Sequence, residues 1–224
     1  MGATFTYAAV YRMEAECRTP LRTGGTGRDP EQILRDRDGN AFIQGSSLSG
    51  ALRGWLASES GQALANALFG NQTRTGRLII SDGIFEKNAD QYTRPRLRID
   101  SATAAGEDGG KFDVAHIAKG AKLHFDLIWL GTAEEKAELN VVERLLSTVD
   151  AGAIRLGAQK SNGFGQLSLT VKRRLFDLTA PADRQAWLAD QWDGEPFPLP
   201  RLEQSREVVF TIKGRADNIL IKTA

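Results

Sequence analysis

The chain has 224 residues, 41% of them hydrophobic and 25% charged, with a formal net charge of +1. That length supports one domain with a full core. The near-neutral balance excludes a global field that would draw the whole molecule to nucleic acid or membrane, so any such role rests on local patches. The single Cys17 excludes an internal disulfide and a cysteine-based zinc site, and it suits a reducing, cytoplasmic setting. The start of the chain has no apolar signal core, and no run approaches the ~20 apolar residues of a membrane span, so no membrane partner is expected.

Residues 4–17 alternate, with Phe5, Tyr7, Ala9, Tyr11, Met13, Ala15 and Cys17 on one face, which predicts a half-buried strand. Residues 18–44 are charged and turn-rich and read as a loop. Leu48, Ala51, Leu52, Trp55 and Leu56 have helical spacing, predicting a helix from about Ser46 through the fifties. A second helix over Gln62–Phe69 ends at Gly70. Arg77–Phe85 reads as one strand. Residues 88–119 read as irregular, with Tyr92–Ile99 extended and "AAGEDGGK" a flexible tip. Lys122–Leu130 alternates again, with Leu123, Phe125, Leu127 and Trp129 inward.

Thr132 and Glu135 have capping-box spacing ahead of a helix whose core face is Leu139, Val142, Leu146 and Val149. A glycine-rich loop, "GAQKSNGFG", leads to a strand with Leu167, Leu169 and Val171 inward. The order strand, helix, strand, strand, helix, strand predicts an α+β, ferredoxin-like domain over 1–174, a pattern RNA-recognition folds also use. Residues 175–207 read as a short helix and a proline-rich linker. Residues 208–224 read as an extra strand whose "IKTA" ending matches the character of "LRTG", 200 residues earlier. That strand either closes this domain, begins another, or pairs with a neighbour.

Two stretches hold candidate binding groups. At about 100° per residue, Ser46, Ser49, Gly50, Arg53 and Ala57 share the non-core face of the first helix. Serine hydroxyls, N-terminal N–H groups and the helix dipole suit a phosphate there, and glycine permits close approach. Capping by Ser46 or Ser47, with tight helix–sheet packing at Gly50 and Gly54, is the alternative. In the glycine-rich loop, Gly157, Gly163 and Gly165 permit tight turns, Lys160, Ser161 and Asn162 offer polar contacts, and Phe164 can stack or pack. No acidic residue occurs from Ala151 to Phe176, whereas Arg155, Lys160, Lys172, Arg173 and Arg174 are basic. P-loop spacing and a G-x-S-x-G elbow are absent. His116 and His124 suggest no ligand pair.

"FIQGSSLSGALRGWL" followed by "RLGAQKSNGFGQL" resembles the RAMP superfamily of CRISPR-associated RNA-binding proteins, and within it the backbone subunits of type III effector complexes. The family's helix motif reads I-P-G-S-S-L-K-G-x-L-R. Gly45, Ser46, Ser47, Leu48, Gly50, Leu52 and Arg53 match it, while Gln44 stands for the usual proline and Ser49 for the usual lysine. "GRLIISDG" and "RIDSATAAGEDGGKFDVAHIAKGAKLHFDL" extend the likeness over residues 3–172.

The resemblance implies a modified ferredoxin-like (RRM-like) fold, stacking with other RAMP subunits along a guide RNA, and a thumb hairpin over Tyr92–Ala118 in which Arg94, Arg96 and Arg98 track phosphates. Arg22, Ser46, Ser47, Ser49, Arg53 and the loop Lys160–Gly165 are the implied RNA contacts. In target-cleaving members a loop aspartate sixteen residues before the motif glycine cuts complementary RNA with Mg²⁺ or Mn²⁺. Asp29 holds that position, although Pro30, Glu31 and Gln32 diverge from the D-x-P-V-I-like pattern. Asp36 and Asp38 are nearby alternatives. A catalytically silent guide-binding subunit is the second reading, and a ferredoxin-like protein that binds no RNA the third. A histidine-dependent guide-processing ribonuclease would want a histidine or tyrosine cluster beside the glycine-rich loop, and the sequence shows none.

Overall fold

Period-two alternation in β1 (Tyr7–Cys17) gives the central sheet two unlike faces. The computed structural model describes residues 5–24 and 33–202, so Asp29 and the strand expected over 208–224 lie outside the described residues. Tyr11, Met13, Ala15 and Cys17 point into a core shared with Leu48, Leu52 and Leu56 of α1 (Gly45–Ser60), with Leu68 of α2 (Gln62–Phe69), and with Leu139, Val142, Leu146 and Val149 of α3 (Glu138–Asp150). Burial pushes the Cys17 thiol up to about 12, so it is a small apolar core residue.

β1 pairs antiparallel with β7 (Lys122–Gly131) on one side and β8 (Leu167–Asp177) on the other. β3 (Leu78–Ile80) and β4 (Gly83–Phe85) both pair with the far edge of β7. This is the ferredoxin-like order. A short β2 (Phe42–Ile43) joins β4, so the loop expected over 18–44 contains a strand. α3 begins later than the capping-box spacing suggests. The Thr132 N–H does donate to Glu135, but a turn intervenes before Glu138.

The single strand expected over Arg77–Phe85 is interrupted. Ile80 faces Leu127 and Ile84 faces His124, so β3 and β4 span one residue more than β7 between those points, a β-bulge at Ser81–Asp82. The bulge aims Asp82 at the start of α1, where Oδ1 accepts the Gly45 N–H at 2.7 Å. Gly45 is required there, because a Cβ would lie 2.4 Å from the Ile80 carbonyl oxygen.

Residues 88–119 are more regular than expected. β5 (Gln91–Ile99) and β6 (Gly106–Ile117) form a separate two-stranded sheet. The tip lies near Asp100–Ala105, closed by the Ala104 N–H to the Asp100 oxygen, and most of "GEDGGK" is strand.

The proline-rich segment is packed against the domain. β9 (Glu195–Pro196) pairs with β8, the Phe197 N–H donates to Val171, and the Phe197 ring meets Tyr11 edge-on. α4 (Pro181–Leu188) covers Ala8, Val10 and Phe176 on the back of the sheet. No helix among the described residues is long and apolar enough to cross a membrane.

Gly45→Ala should cost roughly 3 kcal/mol, by forcing α1 off the bulge. Gly54, with nothing within 4 Å of where a Cβ would stand, should behave oppositely: Gly54→Ala should gain about 1 kcal/mol from helix propensity alone. Thermal melting of the two variants against the wild type checks both signs.

Candidate nucleic-acid interface

The exposed stripe of α1 follows from the burial of Leu48, Leu52 and Leu56 on its opposite side. Ser46, Ser47, Gly50 and Gly54 are exposed, and Ser49 is half-buried. Among the described residues outside the helix's own turn, neither Gly50 nor Gly54 has an atom within 4 Å of where a Cβ would stand, so helix–sheet packing does not account for them. Packing does account for Gly45. The helix N-terminus is also not the open anion site suggested by its serines. Asp82 takes the Gly45 N–H, and the Ser47 N–H bonds the Gln44 carbonyl. The surface left for a ligand is the side of the helix.

The glycine-rich loop faces that side. Its backbone is tied to the segment leaving β1: the Ala158 N–H donates to Arg22 O and the Gly165 N–H to Pro20 O, both at 2.9 Å. Gly157 and Gly165 have positive φ (75° and 86°), and a Cβ would lie 2.3 Å from Arg22 O and 1.9 Å from Leu156 O respectively. These glycines let three strands of backbone close on one another. Lys160–Asn162 form one turn of 3-10 helix, with Lys160, Ser161 and Asn162 exposed and Gly163 closing the turn in the left-handed region. Together the two motifs enclose a cleft of about 350 Å³. Thr23 and Gly24 line it from the β1 exit, Ser47, Gly50 and Ala51 from α1, and Gly157, Ala158 and Lys160 from the loop. Among the described residues, no carboxylate lines it.

Other expected contacts are placed differently. Arg53 donates to Asn66 Oδ1 at 2.7 Å and leans toward α2, outside that cleft. Phe164 is buried and meets His116 edge-on at 5.1 Å, so it packs and offers no stacking face. The basic run along β8 is largely neutralised: Arg173 pairs with Glu143 at 2.5 Å, and Arg174 pairs with Asp193. Arg22 is half-buried beside the loop. Asp36 accepts from the N–H groups of Asp38 and Asn40 and from the Asn40 amide, which holds its carboxyl below the usual range and makes it a turn former.

The hairpin carries Arg94, Arg96 and Arg98 on one face, as the alternation requires. Arg94 lies over Tyr92 and Arg98 over Phe112, at 5.2 and 5.6 Å. Arg96 donates to Gln159 Oε1 at 2.6 Å, and His116 Nε2 lies 3.3 Å from the same oxygen. Gln159, in the left-handed region at φ 61°, thereby joins the hairpin to the glycine-rich loop. No sequence signal marks it. Tyr92 stacks on His116 at 5.4 Å, so a tyrosine–histidine pair does sit beside the glycine-rich loop, contrary to the sequence expectation. His116 is fully buried, and its ring cannot reach a ligand in the cleft.

In RNA-recognition domains, bases stack on aromatics of the open sheet face. Here α4 covers one end of that face, and Glu14, Glu16, Glu86, Lys122 and His124 line the other end, with no Phe, Tyr or Trp among the described residues there. The arrangement is therefore a ferredoxin-like domain with a cleft on its helix side, built from a small-residue helix and a glycine-rich loop. The RAMP superfamily model matches residues 14–168, and the chain belongs to that superfamily. Among solved structures, it is similar to a chain described as "Cryo-EM structure of the Type III-B Cmr-beta bound to cognate target RNA", with a TM-score of 0.59 and 19% identity over 76% of this chain. The match spans 61% of that chain's length. No curated protein sequence matches.

Burial lowers the His116 pKa, hydrogen bonds with Gln159 and the Val114 backbone partly oppose it, and Arg94 and Arg96 add weaker downward pushes. The unfolded chain takes up this proton near pH 6.5, whereas the folded chain does so only at lower pH. Stability is therefore full above about pH 6.5 and falls as the pH drops through that value. Melting temperatures between about pH 7 and about pH 5.5 should fall in the wild type and fall less in His116→Phe.

Proposed function

We propose that the chain is a guide-RNA-binding backbone subunit of a type III CRISPR effector complex, assembling with other RAMP subunits. The observation that carries this reading is the convergence of the α1 motif and the glycine-rich loop on one cleft that, among the described residues, no carboxylate lines. A single RNA strand presents a phosphate at every nucleotide. It is recognised by backbone N–H groups, hydroxyls and lysine or arginine at close range. Ser47 and Lys160 supply such groups, and Gly50 leaves room for a sugar–phosphate backbone against the helix. The basic face of the β5–β6 hairpin, anchored to the same loop through Gln159, extends the positive surface. Membership of the superfamily and the type III-B structural neighbour, which is described as bound to target RNA, support the same reading.

The proposal includes cleavage of complementary target RNA with Asp29 as the essential carboxylate. Asp29 lies outside the described residues, and its position sixteen residues before Gly45 is what selects it. Among the described residues, no group of three or more His, Cys, Asp or Glu side chains could hold a metal. A Mg²⁺ or Mn²⁺ would draw its ligands from the Asp29 segment and the RNA. When bound, the ion would stabilise negative charge on the phosphate being cut.

The test is an assembled complex given end-labelled complementary RNA and Mg²⁺ or Mn²⁺. Regularly spaced cuts are expected from the wild type and none from Asp29→Ala, with guide binding equal in the two. Equal cutting by both would remove Asp29 from the chemistry. Binding without cutting in either would leave a silent guide-binding subunit.

A further inference from the structure

The turn between α2 and β3, "GNQTRTG", has no role in the cleft, yet it is built with unusual rigidity for an exposed segment. Asn71 Oδ1 accepts the Thr73 N–H at 2.9 Å, the Thr73 hydroxyl at 3.0 Å and the Arg74 N–H at 2.8 Å. The Asn71 N–H returns a bond to the Arg74 carbonyl at 2.8 Å. The two ends of the turn touch: a Cβ on Gly70 would lie 2.5 Å from the Gly76 nitrogen, and one on Gly76 would lie 2.5 Å from the Phe69 carbonyl carbon. The turn is thus closed and fixed, and it holds Arg74 outward.

Arg53 reaches the same place from α1. Its Nη2 bond to Asn66 Oδ1, which also accepts from Gln62 at 2.8 Å, holds the guanidinium toward α2. Arg53, Arg74, Asn71 and Gln72 line one open groove of about 400 Å³, and among the described residues no carboxylate lines it. The Arg74 guanidinium has no hydrogen-bond or ion-pair partner among the described residues. Two arginines facing one carboxylate-free groove repel each other until an anion enters, and the planar guanidinium fork fits phosphate oxygens.

We infer that this groove is a second phosphate-contact site for the strand bound in the cleft, with Arg74 as its exposed cation and Arg53 as its positioned one. The inference rests on the RNA-binding reading and extends it. Ser47 of the cleft and Arg53 of the groove are six residues apart on α1, about 9 Å along its axis. That separation suits different phosphates of one extended strand rather than a single group. Gly50 lies between them and Gly54 just beyond Arg53, and among the described residues neither has an atom within 4 Å of where a Cβ would stand, which leaves this side of the helix open from one site to the other.

The experiment titrates the full chain with a labelled, mixed-sequence single-stranded RNA at several salt concentrations, comparing wild type, Arg74→Ala and Arg74→Lys. Arg74→Ala should weaken binding about tenfold. It should also reduce the slope of log K against log salt by about 0.7, the value of one phosphate contact on a single strand. Arg74→Lys keeps the charge and should keep the slope. Melting curves of all three should coincide, because the guanidinium makes no hydrogen bond or ion pair among the described residues. Unchanged affinity and slope in Arg74→Ala would overturn the inference while leaving the cleft intact. Lost affinity at unchanged slope would overturn it too, and would point to a protein carboxylate in the groove. A wild type that binds no RNA at any salt would refute the RNA-binding reading and this inference with it.

Discussion

The contact between Gly45 and the bulge at Ser81–Asp82 sets the direction of α1, and the rest of the surface depends on that direction. One extra residue in the edge strand turns a carboxylate onto the first N–H of the helix. The missing side chain at Gly45 lets two backbones meet where any Cβ would collide. With its start fixed, the helix buries one leucine face and leaves Ser46, Ser47, Gly50 and Gly54 outward. The cost of two interior glycines, about 1 kcal/mol each, is offset by no packing contact among the described residues. A ligand backbone drawn against the helix is the compensation the geometry allows.

The opposing wall is fixed by a different device. Gly157 and Gly165 let the glycine-rich loop lock onto Pro20 and Arg22, so the exit of β1, the loop and the hairpin base form one unit. Gln159 carries the linkage outward to Arg96 and His116. The hairpin is therefore attached to the wall of the cleft, and its arginine face is held in a set relation to that wall. The cleft lies on the helix side, and the back of the sheet is covered by α4 at one end and lined by charged side chains and His124 at the other.

Much of this was legible in the sequence where one period governed a segment. The alternation in Tyr7–Cys17 and Lys122–Gly131 and the leucine spacing in α1 and α3 have one reading each, and the core follows it. Reading failed where a tertiary contact overrode the local pattern. The bulge at Asp82 has no local signature, so the helix N-terminus looked open. Whether Phe164 would stack or pack was open in the sequence, because nothing nearby announces His116, 48 residues earlier. The glycines of "GEDGGK" suggested a loose tip, but cross-strand pairing with Leu97 and Ile99 makes most of that run a strand. The proline-rich tail looked like a linker, although Phe197 finds a place on Tyr11. The superfamily motifs were visible throughout. What they could not show was which of their residues serve the fold, as Gly45 and Gly165 do, and which face outward, as Gly50 and Lys160 do.

The central claim is that α1 and the glycine-rich loop act as one contact for one RNA strand. A double-mutant cycle tests it most directly, measuring RNA affinity for wild type, Gly50→Leu, Lys160→Ala and the pair. If a single strand runs between the two walls, the combined loss should differ from the sum of the single losses by at least about 0.5 kcal/mol. Losses that simply add would mean that the helix and the loop contact RNA independently, and would contradict the account.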